Sequence, residues 1–547
     1  MYLEEPSPLA GNKAAPWRCA LLGLIGSVLA PELDAGPQVT EAYALRASDG
    51  FIGNSYGRAL AAEGARVVVG ALGAVPAGAA YVYDIGDGTE LWTLRPLDAE
   101  PGDYLGFSIA VHGDRALLGA FGDDDFGDRS GSAYVFDLQT GQQLVKLQAL
   151  DGFQEDQFGY AVALSDAFAV VGANLEDALG DQAGSVYVID VASGQQLYKL
   201  NAPDGATLDY FGHALALEGT TLLVGAYGDD DLGSFSGSAY VFDITTGQLL
   251  SKLTAPDGAA GDQFGYSVAL DAGVALIGAF GHDAAGDNAG AAYLFDAASG
   301  QLLSKLLATD GEPEDYFGLD LDLDDGLALI GAYGDDDQRG IAGAAYRFDA
   351  STGQQLSKLQ ASDGATLDVF GYAVATTGGT SFVGGPGINF VGAPEIEGRV
   401  GVFDPPTIGI GYCVAAPNST GAPARIRAYG SDEAVANLLV LDADGLPPQQ
   451  FGYFLTGQVP GFVGGPGGSQ GNLCLIGQIG RFVAPGQVQS SGAPRRIQLQ
   501  LDLTNLPIGA GQAAVAPGET WNFTLWYRDE NPGPTSNFTD AVGVTFR

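Results

Sequence analysis

Carboxylates are the residues whose types and spacing could do chemistry here. Three runs of adjacent aspartates stand out: Asp123-Asp124-Asp125, Asp229-Asp230-Asp231 and Asp335-Asp336-Asp337. Glu176-Asp177, and Asp283 with Asp287, hold the matching positions between them. Adjacent like charges repel unless a cation or solvent screens them. Calcium takes roughly six to eight oxygen ligands, which carboxylates and turn carbonyls in Gly-rich loops can supply. Calcium is therefore the candidate ligand of these nine aspartates. The competing reading is that Asp forms turns readily and solubilises an exposed face.

Other chemistry is thinly represented. The three histidines, His112, His213 and His282, fall at non-equivalent places, and no phosphate-binding, dinucleotide, zinc-protease or nucleophile-elbow motif occurs. No catalytic residue and no organic cofactor is expected, and the chain reads as non-enzymatic. The many carboxylates leave a polysaccharide-active enzyme as an alternative. A formal net charge of −43 argues against nucleic acid and anionic membrane as partners.

The acids must be positioned by a repeat. Phe-Gly recurs at Phe158, Phe211, Phe264, Phe317 and Phe370, with weaker copies at Leu105-Gly106 and Tyr56-Gly57. The glycines from Gly106 to Gly371 are spaced by 53. Lys146, Lys199, Lys252, Lys305 and Lys358 keep the same beat, as do Asp151, Asp204, Asp257, Asp310 and Asp363. One unit shows four strand-like runs, FGYSVAL, VALIGAF, GAAYLFD and QLLSKLLA, bounded by Gly, Asp and Ser-Gly turns. Four short strands per unit of this length predict a β-propeller blade, and seven units predict seven blades. The last unit lacks its fourth strand, while TEAYALRASDG at 40–50 matches QQLSKLQASDG at 354–364. The strand at 40–47 is thus expected to complete the seventh blade and remove the open edges. Loops after the second and fourth strands should share one acidic face. The Asp before each Phe-Gly (Asp156, Asp209, Asp262, Asp315, Asp368) reads as a turn-fixing acceptor, and the lysines read as guards on an outer strand edge.

The phase FG…(V/I)GA followed by G-(S/A)-AY-x-FD resembles the FG-GAP repeat of integrin α-subunit propellers, in the bacterial form with GDDD after the second strand. The resemblance implies a seven-bladed propeller used for extracellular binding or adhesion. The integrin calcium loop joins the first and second strands. Here that connection is a tight turn such as Leu217-Glu218-Gly219-Thr220, so the family's calcium residues do not carry over by position.

Flanking segments differ. In 1–36, Lys13 and Arg18 precede the apolar run Cys19–Ala30, the pattern of a cleaved export signal too short to span a membrane. A buried N-terminal helix is the alternative. Export would leave Cys413 and Cys474, which an oxidising compartment should join as a disulfide. After Pro405-Pro406 the period stops, and 410–547 reads as a β-sandwich. Trp521 and Trp526 should face opposite sides of one strand. The expected protein is all-β: a leader (1–36), a propeller (37–409) and a sandwich (410–547). It is expected to be monomeric and secreted, extracellular or in the cell envelope, without a membrane span. Its ligand is an extracellular protein or a glycan. A lectin-like carbohydrate binder is the alternative.

Overall fold

The structure is a computed structural model. It describes residues 39, 41–50, 53–337, 341–362, 368–387 and 398–404. Beyond 404 it describes 407–546 apart from 409, 413–414, 416–417, 420–423, 431–438, 465, 467–468, 470–471, 492–495, 510 and 530–534. The leader, including Cys19–Ala30, and Cys413 lie outside the described residues. The described residues form no α-helix, and none contains a helix long and apolar enough to cross a membrane.

Between Tyr43 and Phe403 the described residues form seven four-stranded antiparallel sheets, numbered one to seven by their first strands, Tyr56–Glu63, Ile109–His112, Ala161–Leu164, Ala214–Glu218, Val268–Asp271, Leu321–Asp324 and Ala373–Thr377. Sheet four is representative, with strands Ala214–Glu218, Thr221–Ala226, Ser238–Asp243 and Gln248–Leu253 in consecutive order. Its second and third strands are almost wholly buried, because a neighbouring sheet covers each face. Its fourth strand has exposed residues alternating with partly buried ones, as one side meets water.

Phe-Gly is the stitch between sheets. The Phe264 backbone N–H donates to Ser236 O of the preceding sheet at 3.0 Å, and its ring is buried. Gly265 has a φ of 87°, and a Cβ there would lie 2.3 Å from Ser238 O, so only glycine fits. The equivalent bond recurs from Phe158 to Ser130, Phe211 to Ala183, Phe317 to Ala289 and Phe370 to Ala342.

The first strand of each sheet touches the first strand of the next. The series returns to its start, because Ala373–Thr377 of sheet seven touches Tyr56–Glu63 of sheet one. Val67, Val69 and Tyr81 of sheet one share a core with Phe382, Val400 and Val402 of sheet seven. Sheet seven takes its fourth strand from the N-terminus: Tyr43–Leu45 pairs antiparallel with Arg399–Phe403, Tyr43 opposite Val402.

Past Phe403 two further sheets enclose one core. Thr407–Ile408, Arg425–Gly430, Leu439–Asp444 and Ile497–Gln500 form the first. The second is built on Thr520–Asp529, with Ala541–Thr545 and Phe451–Gly457 on either side. Ile426, Leu441 and Ile497 pack there against Phe454, Trp521, Leu525 and Tyr527. Trp521 is buried in that core, whereas Trp526 lies on the other face against Tyr453, 5.0 Å between ring centres.

Candidate metal centre

Strand register positions the lysine first. In sheet four Tyr240 of the third strand stands opposite Lys252 of the fourth, and Lys252 Nζ lies 5.1 Å from the Tyr240 ring centre. The turn after the second strand then closes on itself. The Asp231 N–H donates to Asp229 Oδ1 at 3.1 Å, and the Gly237 N–H to Asp229 O at 2.8 Å. This buries Asp229, whose Oδ2 accepts from the Tyr240 hydroxyl at 2.6 Å. The connection from sheet three brings in Asp204.

These carboxylates converge on the ammonium. Lys252 Nζ is 2.8 Å from Asp204 Oδ2, 2.9 Å from Asp229 Oδ2 and 2.6 Å from Asp231 Oδ2. An ammonium has three N–H donors, so each finds one carboxylate. Sheet two repeats the cluster with Lys146 and Asp98, Asp123 and Asp125 at 2.7–2.8 Å. Sheet six repeats it with Lys358 and Asp310, Asp335 and Asp337 at 2.6–2.9 Å. Sheets three and five are reduced. Lys199 meets Asp151 and Glu176, and Lys305 meets Asp257 and His282 Nε2. The middle aspartates, Asp124, Asp230 and Asp336, are exposed, and among the described residues none of them pairs with these lysines.

Protonation follows from these contacts. Burial pulls the Lys252 ammonium down, but its bonds to Asp204, Asp231 and Asp229 outweigh this and hold it above the ordinary lysine range. Lys146 and Lys358 are raised in the same way. Burial pushes Asp204 up, yet Lys252 and Tyr240 bring it below the usual carboxylate range. Asp257 is likewise held down at about 2, with Lys305 and Tyr293 outweighing burial.

Calcium fits this arrangement poorly. The oxygens of Asp204, Asp229 and Asp231 lie within 4.8 Å of one another, as a cation site requires. At that separation, and at an effective dielectric constant near 20, each unscreened pair would repel by ~3 kcal/mol. Lys252 already screens them from within bonding distance of all three. Asp229 Oδ2 also takes a hydroxyl proton, and roughly three to five further oxygens would be needed to complete a calcium shell.

Of the nine aspartates singled out in the sequence, the structure gathers the first and third of each run and leaves the middle one apart. It adds Asp98, Asp204 and Asp310 from the inter-sheet connections, and the lysines read as edge guards. The signal for both was the shared period: Lys252 and Asp204 are 48 residues apart, as are Lys146 and Asp98. The Asp before each Phe-Gly has a different job. Asp209 Oδ2 accepts the Ala206 N–H at 2.7 Å, and Asp156 and Asp262 accept from Phe153 and Ala259 in the same way.

Four-stranded sheets repeated on one beat, each stitched to its neighbour through Phe-Gly, define a repeat protein built of propeller-type blades. Residues 89–136, 142–189, 195–242, 248–295, 301–348 and 354–395 match the FG-GAP repeat, and the chain belongs to that family. No curated protein matches the chain.

Proposed function

We propose that this chain is an exported, non-enzymatic binding or adhesion protein, in which residues 37–409 form a closed seven-bladed propeller and 410–547 a β-sandwich. One observation carries the reading: the two ends of the sheets are unlike. In an antiparallel sheet the second and fourth strands end on the same side. Loops on that side bear the recurrent acids together with exposed large apolar residues, Phe126, Leu179 and Leu232 after second strands and Leu97, Leu150 and Phe153 after fourth strands. Among the described residues, the turns after first and third strands in the seven sheets expose no large apolar side chain. Apolar side chains set among carboxylates suit a partner that presents basic and apolar groups together. The leader at 1–36 supports export.

A lectin-like reading draws on a second observation. On the same side Tyr210 stacks on Tyr227 at 4.8 Å and 5°, and Tyr316 on Tyr333 at 5.0 Å and 9°. Half-buried flat pairs of this kind offer faces to a sugar ring. The test compares the full chain with Leu150→Asp/Phe153→Asp and with Thr246→Asp on the opposite side, each on beads offered to extracellular proteins and to a glycan array. Capture lost only in the first variant supports the reading. Equal capture by both variants overturns it, and the array separates glycan from protein ligands.

A further inference from the structure

The acidic face contains its own cations. In sheets two, four and six a lysine ammonium reaches three carboxylate oxygens at 2.6–2.9 Å. Three features make this a built arrangement rather than a chance surface pairing. Each lysine is set opposite a tyrosine by strand register. Each tyrosine hydroxyl donates to the buried first aspartate of its run. The three lysine side chains are only 16–19% exposed, although they lie on outer strands.

We propose that the ammonium groups of Lys146, Lys252 and Lys358 are the resident counter-cations of these carboxylate clusters, holding the place a divalent metal would take, so that the sheets need no calcium. The ammonium matches the cluster in its number of bonds. It has three donors for three acceptors, at distances where each N–H···O bond is short and charge-assisted. A tethered cation is also present at fixed stoichiometry and cannot be removed by a chelator. The proposal does not depend on what the acidic face binds.

Lys252→Met tests it, since methionine keeps most of the stem over Tyr240 and removes the ammonium with its charge and its three donors. Melting of the full chain is followed in EDTA and in millimolar CaCl2, with NaCl at matched ionic strength as control. The wild type should melt at the same temperature in all three. Lys252→Met should melt lower in EDTA and recover in calcium, because Asp204, Asp229 and Asp231 are then free to bind it. Asp204→Asn/Asp231→Asn in the Lys252→Met background should recover without calcium, since the repulsion is gone. Should Lys252→Met fail to fold, this triple variant and Lys146→Met carry the same comparison. A wild type whose melting rises in calcium beyond the salt control overturns the proposal. So does a Lys252→Met protein as stable in EDTA as the wild type.

Discussion

Glu41 and Arg399, 358 residues apart in sequence, form a buried ion pair across the seam of sheet seven, with side chains 3% and 5% exposed. Glu41 Oε2 also accepts from the Ser362 N–H at 3.0 Å and its hydroxyl at 2.6 Å. Beside it, the Ala42 N–H donates to Val402 O at 2.8 Å. The N-terminal strand is therefore held by charge as well as by its ladder, where the outer strands of sheets two to six set a Lys opposite a Tyr.

Removing one partner of such a pair leaves the other charge buried and uncompensated. Glu41→Ala should cost about 3–5 kcal/mol in urea unfolding. It should also free the edge of Arg399–Phe403, which size-exclusion chromatography would register as association. An unchanged urea midpoint would show that the ladder alone holds the strand.

Stability should peak near pH 4, the ordinary carboxylate value at which the two sets of shifted carboxyls described next trade places. Asp320, just before the first strand of sheet six, and Asp322 and Asp324 on it accept the N–H groups of Val374, Thr376 and Gly378 at the first strand of sheet seven, each at 2.7 Å. Burial pushes these carboxyls up to about 6, 7 and 6, against the lowering effect of those same bonds. Burial also raises Asp103, Asp156, Asp209 and Asp315 to about 6. A carboxyl with a raised folded pKa binds its proton more tightly in the native state, so stability falls as pH rises through that value. Asp98, Asp151, Asp204 and Asp257 are lowered and act oppositely, their stabilisation being lost as pH falls below about 4. Asp322→Asn should therefore gain about 1–3 kcal/mol at pH 8 and little at pH 4. Urea midpoints at both values decide this, and a gain of equal size at pH 4 would rule out ionisation as the cause.

What could be read from the sequence was what repeats in it. Phe-Gly recurs because φ and clearance admit only glycine beside that buried ring, so the sheets and their phase were visible from the weaker copy at Tyr56-Gly57 onward. The partners of Lys252 were not, because a strand pattern says which edge a lysine occupies and nothing of how far its stem bends. Residues unique to one sheet were also hidden. The third strand carries Val135, Val188, Val241 and Leu294, but Arg347 in sheet six, where it is fully buried. Its Nε donates to Ser381 Oγ at 2.9 Å and its Nη2 to Phe403 O at 3.0 Å, tying sheet six to the end of sheet seven. Likewise Asp322 stands where the other six sheets have alanine. In the C-terminal part the strand Leu439–Asp444 went unread because the buried Asp442 breaks its apolar pattern. It does so in order to accept from Arg496 Nε at 2.5 Å.

Arg58 follows the glycine of the first unit, where the six later units have Phe107, Tyr160, His213, Tyr266, Leu319 and Tyr372. Its guanidinium carbon lies 4.5 Å from the Phe107 ring centre and 5.1 Å from that of Tyr372. Phe107, Tyr160, His213 and Tyr266 continue the contact from sheet to sheet at 4.5–4.9 Å. Arg58 therefore bridges sheets two and seven from within sheet one, with two cation–π contacts worth about 1–3 kcal/mol together. Arg58→Met keeps the stem and loses the charge, so it should be destabilised by that amount. Arg58→Lys, a cation without a flat face, should fall between. Urea unfolding of the three proteins would refute the bridge if Arg58→Met matched the wild type.

Cys474 is buried in the strand Asn472–Ile476, which pairs with Val459–Gly464. A bond to Cys413 would tie that ribbon to the start of the C-terminal part. Closing a loop of about 60 residues should stabilise by ~4 kcal/mol in the chain-entropy model. Such a bond would lie wholly beyond the seven sheets, so reduction should act on one part of the chain only. In protein recovered from an oxidising compartment, alkylation without reductant should leave both cysteines unmodified by mass. Dithiothreitol should then lower the melting step of the C-terminal part and leave that of the propeller sheets in place. Free thiols at both positions in such protein would overturn the pairing, and a uniform shift of both steps would show that the two parts unfold together.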